Sequence, residues 1–142
     1  MLGAIDVMEK IYLDSCLVIY LVERHPLFYP VLHNLVASRP NAVFAVSELT
    51  RLEVLTRPLR DGDRQLVQRF EVFLQNQESL PIDDTIVRAA LDLRVAGLKT
   101  PDALHVALAR HYACTALWTN DDRLSKILPG WSDNVLRGLK PE

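Results

Sequence analysis

Short apolar runs alternate with longer amphipathic ones along this chain. Ile11-Tyr12-Leu13 reads as a strand ending at Asp14, and Ser15 to Val22 follows as a helix. His25-Pro26 breaks that helix, because proline disfavours a helical residue before it. Leu27 to Ser38 is a second helix, closed by Arg39-Pro40-Asn41. Ala42 to Val46 reads as the next strand, with Ser47 capping a helix that runs to about Arg57, where Pro58 follows. A helix starting between Asp61 and Asp63 reaches Gln77, with Leu66, Phe70, Phe73 and Leu74 on its apolar face.

The second half repeats the alternation. Ser79 to Ile82 is a short strand, and Asp83 or Asp84 caps a helix that stops before Gly97. Thr100-Pro101 predicts a sharp helix start, Thr as cap and Pro at the first helical position. Asp102 to Tyr112 is apolar around most of its circumference, so this helix is expected to be buried. Thr115 to Thr119 is a fourth strand, Asp122 to Leu128 a short helix, and Asn134 to Leu136 a candidate fifth strand. Strands that alternate with helices imply βα units around a parallel sheet covered on both faces. The expected fold class is an α/β three-layer sandwich with a mostly parallel sheet of four to five strands.

Composition narrows the picture. At 142 residues, 49% hydrophobic and 24% charged, the chain has the balance of one folded domain. Residues 8–142 are expected to form it, with 1–7 as an N-terminal extension. The apolar run Cys16 to Val22 is far below the roughly 18 residues of a membrane span. The N-terminal stretch carries Asp6 and Glu9 and lacks a basic segment, so no secretory signal and a cytoplasmic location are expected. Cys16 and Cys114 form no CxxC pair, which argues against a zinc ribbon or a disulfide scaffold. The net charge of -2 neither advertises nor excludes a nucleic-acid partner. Arg51, Arg57, Arg60, Arg64 and Arg69 fall in one stretch interrupted by acids. It reads as a solvated helical surface, with Arg51 and Arg57 as candidate phosphate contacts.

Several chemistries are missing. There is no GxGxxG or GxxxxGK[ST] loop, no GxSxG elbow and no HExxH, and the four histidines read as surface or core residues. What remains is carboxylates. Ligands of an open parallel sheet bind outside the carboxyl ends of its strands. Asp14 follows the first strand, Asp121 and Asp122 follow the fourth, Asp102 opens the buried helix, and Glu53 lies on the helix after the second strand. Each has a bland alternative except Asp14. Asp102 suits a helix N-terminus, Asp121 or Asp122 a cap, and Glu53 an i,i+4 pair with Arg57. If the four acids converge, their repulsion calls for a hard cation such as Mg²⁺, which takes oxygen ligands.

These residues resemble the PIN-domain nucleases, and most of all the toxin halves of VapBC-type toxin–antitoxin pairs. The resemblance runs from Ile11 to about Leu136, with its motifs in family order. Tyr12-Leu13-Asp14-Ser15 resembles the opening apolar-Asp-Ser/Thr motif. Ser47-Glu48-Leu49-Thr50-Arg51-Leu52-Glu53 resembles the Ser-x-Leu-x-x-x-Glu segment, Asp102-Ala103 opens a helix like the family's, and Thr119-Asn120-Asp121 matches its Thr-Asn-Asp motif. The resemblance implies a PIN-like fold and a ribonuclease dependent on Mg²⁺ or Mn²⁺ held by Asp14, Glu53, Asp102 and Asp121. An activated water would cleave RNA to a 5′-phosphate and a 3′-hydroxyl. Ser15, Thr119, Asn120 and Asp122 are the supporting positions, and Asp121 or Asp122 is left open as the closer ligand. His105, at i+3 from Asp102, is expected at most to support it. A cognate antitoxin and a homodimer are implied as partners. The alternatives are a catalytically weak binding module for RNA or antitoxin, and a PIN nuclease acting on another nucleic acid.

Overall fold

The computed structural model describes residues 8–139; the expected extension 1–7 lies outside them. Strand β1 (Lys10–Leu13) sits at the middle of the sheet, because its side chains are apolar toward both faces. Side chains along a strand alternate. Ile11 and Leu13 therefore join one core, with Val46 and Trp118, while Tyr12 joins the other, with Ala45 and Leu117. The sheet order is β3-β2-β1-β4-β5, with β2 at Val43–Ser47, β3 at Glu78–Leu80, β4 at Ala116–Thr119 and β5 at Ser132–Asn134. Every pairing is parallel.

Helices cover both faces, as a parallel sheet requires. On the first lie α1 (Ser15–Val22), α2 (Phe28–Ala37), α3 (Glu48–Arg60) and α4 (Arg64–Gln75), packed through Leu17, Leu32, Val54 and Phe70. On the second lie α5 (Asp84–Val95), α6 (Thr100–His111) and α7 (Asp122–Ser125), packed through Ile86, Leu108 and Leu124. The three-layer α/β/α sandwich follows. Among the described residues no helix is long and apolar enough to cross a membrane.

Several boundaries differ from the sequence reading; β3 ends at Leu80 rather than Ile82 and α4 at Gln75 rather than Gln77. Helix α3 continues through Pro58 to Arg60. Pro58 is buried, and the turn beyond it is held by Asp61 N–H to Arg57 O (2.9 Å) and Asp63 N–H to Pro58 O (2.9 Å). Packing outweighs the one helical bond that proline removes. Helix α6 is capped at Lys99 rather than Thr100, and its Ala103 N–H reaches Lys99 O at 2.9 Å. Strand β5 comes earlier than Asn134–Leu136, since Asn134 Oδ1 accepts Leu136 N–H at 3.0 Å and turns the chain out of the sheet. Helix α7 stops at Ser125. Ser47 caps α3 as predicted, Asp83 rather than Asp84 caps α5, and Asp63 caps α4, accepting from Thr50, Ile86 and Leu66 N–H respectively.

Candidate metal centre

The chain leaves β1 toward β2 on one side, while β4 and β5 lie on the other. Between the carboxyl ends of β1 and β4 the strand order reverses, the place where such sheets hold ligands. Asp14 stands at the end of β1. Its Oδ1 accepts Ser15 N–H at 2.8 Å, capping α1, and its Oδ2 accepts the Thr119 hydroxyl at 2.6 Å from the end of β4. That same hydroxyl oxygen accepts Asp121 N–H at 3.0 Å. Thr119 thus couples two acids from neighbouring strands. Asp121 caps α7 through Oδ1, which accepts Arg123 N–H at 2.8 Å.

Glu53 arrives from the second turn of α3. Its Oε1 accepts the Ser15 hydroxyl and His105 Nε2–H, each at 2.7 Å. An ionised carboxylate only accepts, so His105 carries a proton on Nε2. Burial works against the Glu53 carboxylate, but the His105 and Ser15 bonds outweigh it and hold the acid below its usual range. His105 Nε2 also lies 3.9 Å from Asp14 Oδ1. On the other side of the ring, Nδ1 is 2.6 Å from the Tyr12 hydroxyl, itself 2.9 Å from Ser47 Oγ. With the imidazole neutral, Tyr12 donates to Nδ1 and Ser47 donates to Tyr12. Burial, foremost, raises the Tyr12 phenol far above its ordinary range, so it stays protonated.

Asp102 occupies the first turn of α6, half-buried. Burial raises its carboxyl, and the charges of Asp121 and Asp14 raise it further, partly offset by His105 and Arg123. Acids from three separate elements therefore share one field.

Among the described residues no set of three or more His, Cys, Asp or Glu side chains is gathered tightly enough to enclose a metal ion. The donor chemistry nonetheless fits a hard divalent cation. Asp14, Asp102 and Asp121 offer only carboxylate oxygens, Glu53 Oε1 is occupied by Ser15 and His105, and burial and the neighbouring acids disfavour the Asp102 charge, which a cation would relieve. Mg²⁺ characteristically binds one or two carboxylates and completes its shell with water and phosphate oxygens, so it needs no closed protein cage.

The remaining predicted residues divide. Ser15 and Thr119 bond directly to the acids. Asn120 turns to the Tyr20 hydroxyl (3.3 Å) instead. Asp122 faces away toward β5, accepting from Asn134 Nδ2 at 2.8 Å with Arg137 at 3.6 Å. Those partners, Asn134 first, lower its carboxyl below the usual range. Arg51 and Arg57 are each engaged by a glutamate rather than standing unpaired. Arg51 pairs with Glu71 at 2.6 Å and Arg57 with Glu23 at 3.2 Å, tying α3 to α4 and to the end of α1. The Glu53–Arg57 alternative is therefore not formed. His105 does more than the expected support of Asp102: it bonds Glu53 and Tyr12 instead. One signal was present, a lone polar side chain amid Ala103, Val106, Ala107 and Leu108 on a helix expected to be buried.

Two thiols bracket β4 in space, Cys16 beside Asp14 at its carboxyl end and Cys114 just before its amino end, away from the acids. Cys16 Sγ lies 3.6 Å from Asp14 Oδ2, and burial, with the Asp14 charge, pushes its thiol up to about 12. Burial raises Cys114 to about 11. The thiolate is the reactive form, so iodoacetamide at neutral pH is expected to label neither in the folded protein and both after denaturation. Mass spectrometry reads this directly, and fast native labelling of Cys16 would contradict its enclosure.

The PIN domain model matches residues 11–127. No curated protein matches the sequence. A toxin–antitoxin complex from Klebsiella pneumoniae is similar at TM-score 0.73 and 21% identity, over 88% of this chain and 97% of that one. VapBC2 from Rickettsia felis, bound to a DNA fragment from its promoter, gives TM-score 0.72 and 19% identity over 88% and 98%. Mycobacterium tuberculosis VapC20, a sarcin–ricin loop cleaving toxin, gives 0.69 and 16% over 81% and 92%. At these identities the likeness speaks for the fold. The family model covers most of the chain and spans all four acids, and this chain belongs to the PIN-domain family.

Proposed function

We propose that the protein is a metal-dependent endoribonuclease, the toxin of a toxin–antitoxin pair, acting through Asp14, Glu53, Asp102 and Asp121. The observation that carries this reading is the shared field of Asp14, Asp102 and Asp121 at the strand-order reversal. Mg²⁺ or Mn²⁺ held by these acids would supply charge to the phosphodiester oxygens and acidify a water. The chain's own part is orientation. Ser15 and His105 fix one oxygen of Glu53, and Thr119 fixes one oxygen of Asp14 against the backbone of Asp121. Held carboxylates keep their remaining lone pairs aimed without reorganising, which is what electrostatic catalysis requires.

RNA is the substrate of this reading, and a protein of the same fold, VapC20, is a sarcin–ricin loop cleaving toxin. An antitoxin partner is supported by the toxin–antitoxin complexes among the similar structures. On this chain, a groove of about 590 Å³ between α3 and α4, lined by Leu52, Leu55, Leu59 and Val67, is the apolar surface such a partner would cover. The reading also includes a homodimer acting in the cytoplasm.

Structured RNAs incubated with the purified protein are expected to be cut in Mg²⁺ or Mn²⁺ and left whole in EDTA. Asp121→Asn, which keeps a capping side chain, is expected to lose cleavage by more than the about 100-fold seen when partners of metal ligands are removed. Asp122→Asn is expected to retain it. Equal losses would break the assignment of Asp121 over Asp122. RNA binding without cleavage in either metal would leave a regulatory module in place of an enzyme.

A further inference from the structure

Phosphates approaching three carboxylates on a chain of net charge -2 are repelled, so a strand needs cations along its path. Arg51 and Arg57 do not supply them, since each is held by a glutamate. The other flank differs. Between the α5–α6 turn and α7 lies a groove of about 260 Å³, and its lining includes Leu98, Lys99, Asp102, Arg123 and Ile127. It opens beside Asp102 and so adjoins the candidate metal centre.

Lys99 is exposed and has no carboxylate partner among the described residues. Arg123 is 71% exposed and reaches Asp121 Oδ2 only at 3.6 Å, a long, solvent-screened pair that a phosphate can displace. Half-buried Leu98 and Ile127 give the groove apolar walls. Two available cations, apolar walls and a carboxylate at one end match the sugar–phosphate backbone of a single strand. An acidic peptide would find cations here but no use for the neighbouring acids.

We propose that this groove holds a phosphate flanking the scissile bond, gripped by Lys99 and Arg123, with the adjoining ribose against Leu98 and Ile127. The proposal rests on the nuclease reading above and assigns the substrate's path, across α6 and α7 rather than across α3. Neither side chain is needed for folding. Lys99 caps α6 through its backbone alone, and Arg123 bonds Asp121 Oδ1 through its backbone N–H.

The test is fluorescence anisotropy of short labelled single-stranded RNAs of several sequences, with the full chain in EDTA over a salt series. Lys99→Ala and Arg123→Ala are each expected to weaken binding uniformly across sequences. Each should also reduce the slope of log K against log salt by about 0.7, the value for one phosphate contact on a single strand. Arg51→Ala and Arg57→Ala are expected to change neither. If wild type cuts RNA in Mn²⁺ but the Lys99 and Arg123 variants bind as it does, the groove assignment is overturned and the nuclease reading stands. Binding that depends on Lys99 and Arg123, in a protein that never cuts, supports the groove and overturns the nuclease. Absence of any binding overturns the groove assignment, and the cleavage assay alone then decides the nuclease reading.

Discussion

Asp102→Asn is expected to abolish metal-dependent cleavage and, in metal-free buffer, to make the protein harder to unfold. Both effects have one cause. Burial and the charges of Asp121 and Asp14 raise the Asp102 carboxyl above its ordinary value of 3.8, so its ionised form is disfavoured in the folded state. Asparagine keeps the shape and removes the charge. The helix dipole works the other way, by about 0.3–1 kcal/mol at a helix N-terminus, but burial and two neighbouring carboxylates oppose it. A net rise in Tm is expected.

The sign can be followed with pH. Above the raised folded-state value, Asp102 is ionised in both states and wild type carries the full penalty. As pH falls through that value toward 3.8, the folded protein protonates first, and the advantage of Asp102→Asn shrinks and then vanishes. Mn²⁺ reverses the ranking. An ion at 100 times its Kd stabilises the state that binds it by about 2.7 kcal/mol, so wild type gains in Tm where the variant gains far less. Thermal melts at two pH values, with and without Mn²⁺, check all three statements. A wild-type Tm indifferent to Mn²⁺, or an Asp102→Asn protein that still cuts RNA, would remove Asp102 from the centre.

Much of this arrangement is legible in the residues. Asp14 stands out as an acid amid the apolar stretch Ile11 to Val22, and its local role, the cap of α1 at the sheet's middle, is one the sequence reading did not assign it. Ser47 could be placed, and the cap of α5 narrowed to Asp83 or Asp84, because capping is local chemistry. What was not legible depends on partners distant in sequence. Whether Asp121 or Asp122 faces the acids is decided by Asn134 and Arg137, which draw Asp122 toward β5. Arg51 and Arg57 look available until Glu71 and Glu23 arrive from α4 and the end of α1. Pro58 looks like a terminator until its burial is known. His105 looks like an i+3 neighbour of Asp102 until Tyr12 and Glu53, from β1 and α3, occupy both ring nitrogens.

That last arrangement carries the largest expected loss of stability. His105 is 1% exposed and Tyr12 fully buried. In His105→Ala, the Tyr12 hydroxyl keeps only Ser47, Glu53 Oε1 keeps only Ser15, and a cavity opens in the core beside the Tyr12 ring. A buried polar group left without its partner costs about 1–3 kcal/mol, and the cavity adds to it. A total of about 2–4 kcal/mol is expected, roughly 10 °C in Tm. Tyr12→Phe, which deletes one hydroxyl, is expected to cost about 1 kcal/mol. The two losses are expected to be less than additive, because each single change already breaks the same bond. Cleavage should fall about 10–100-fold in His105→Ala, the range for groups that orient a metal ligand, since Glu53 loses one of the two donors that hold it. His105→Gln, which can still donate to Glu53, is expected to recover part of the activity without recovering the Tyr12 bond. Chemical denaturation and single-turnover cleavage of the three variants separate these contributions. Full cleavage by His105→Ala alongside a large loss of stability would make this histidine a core residue only.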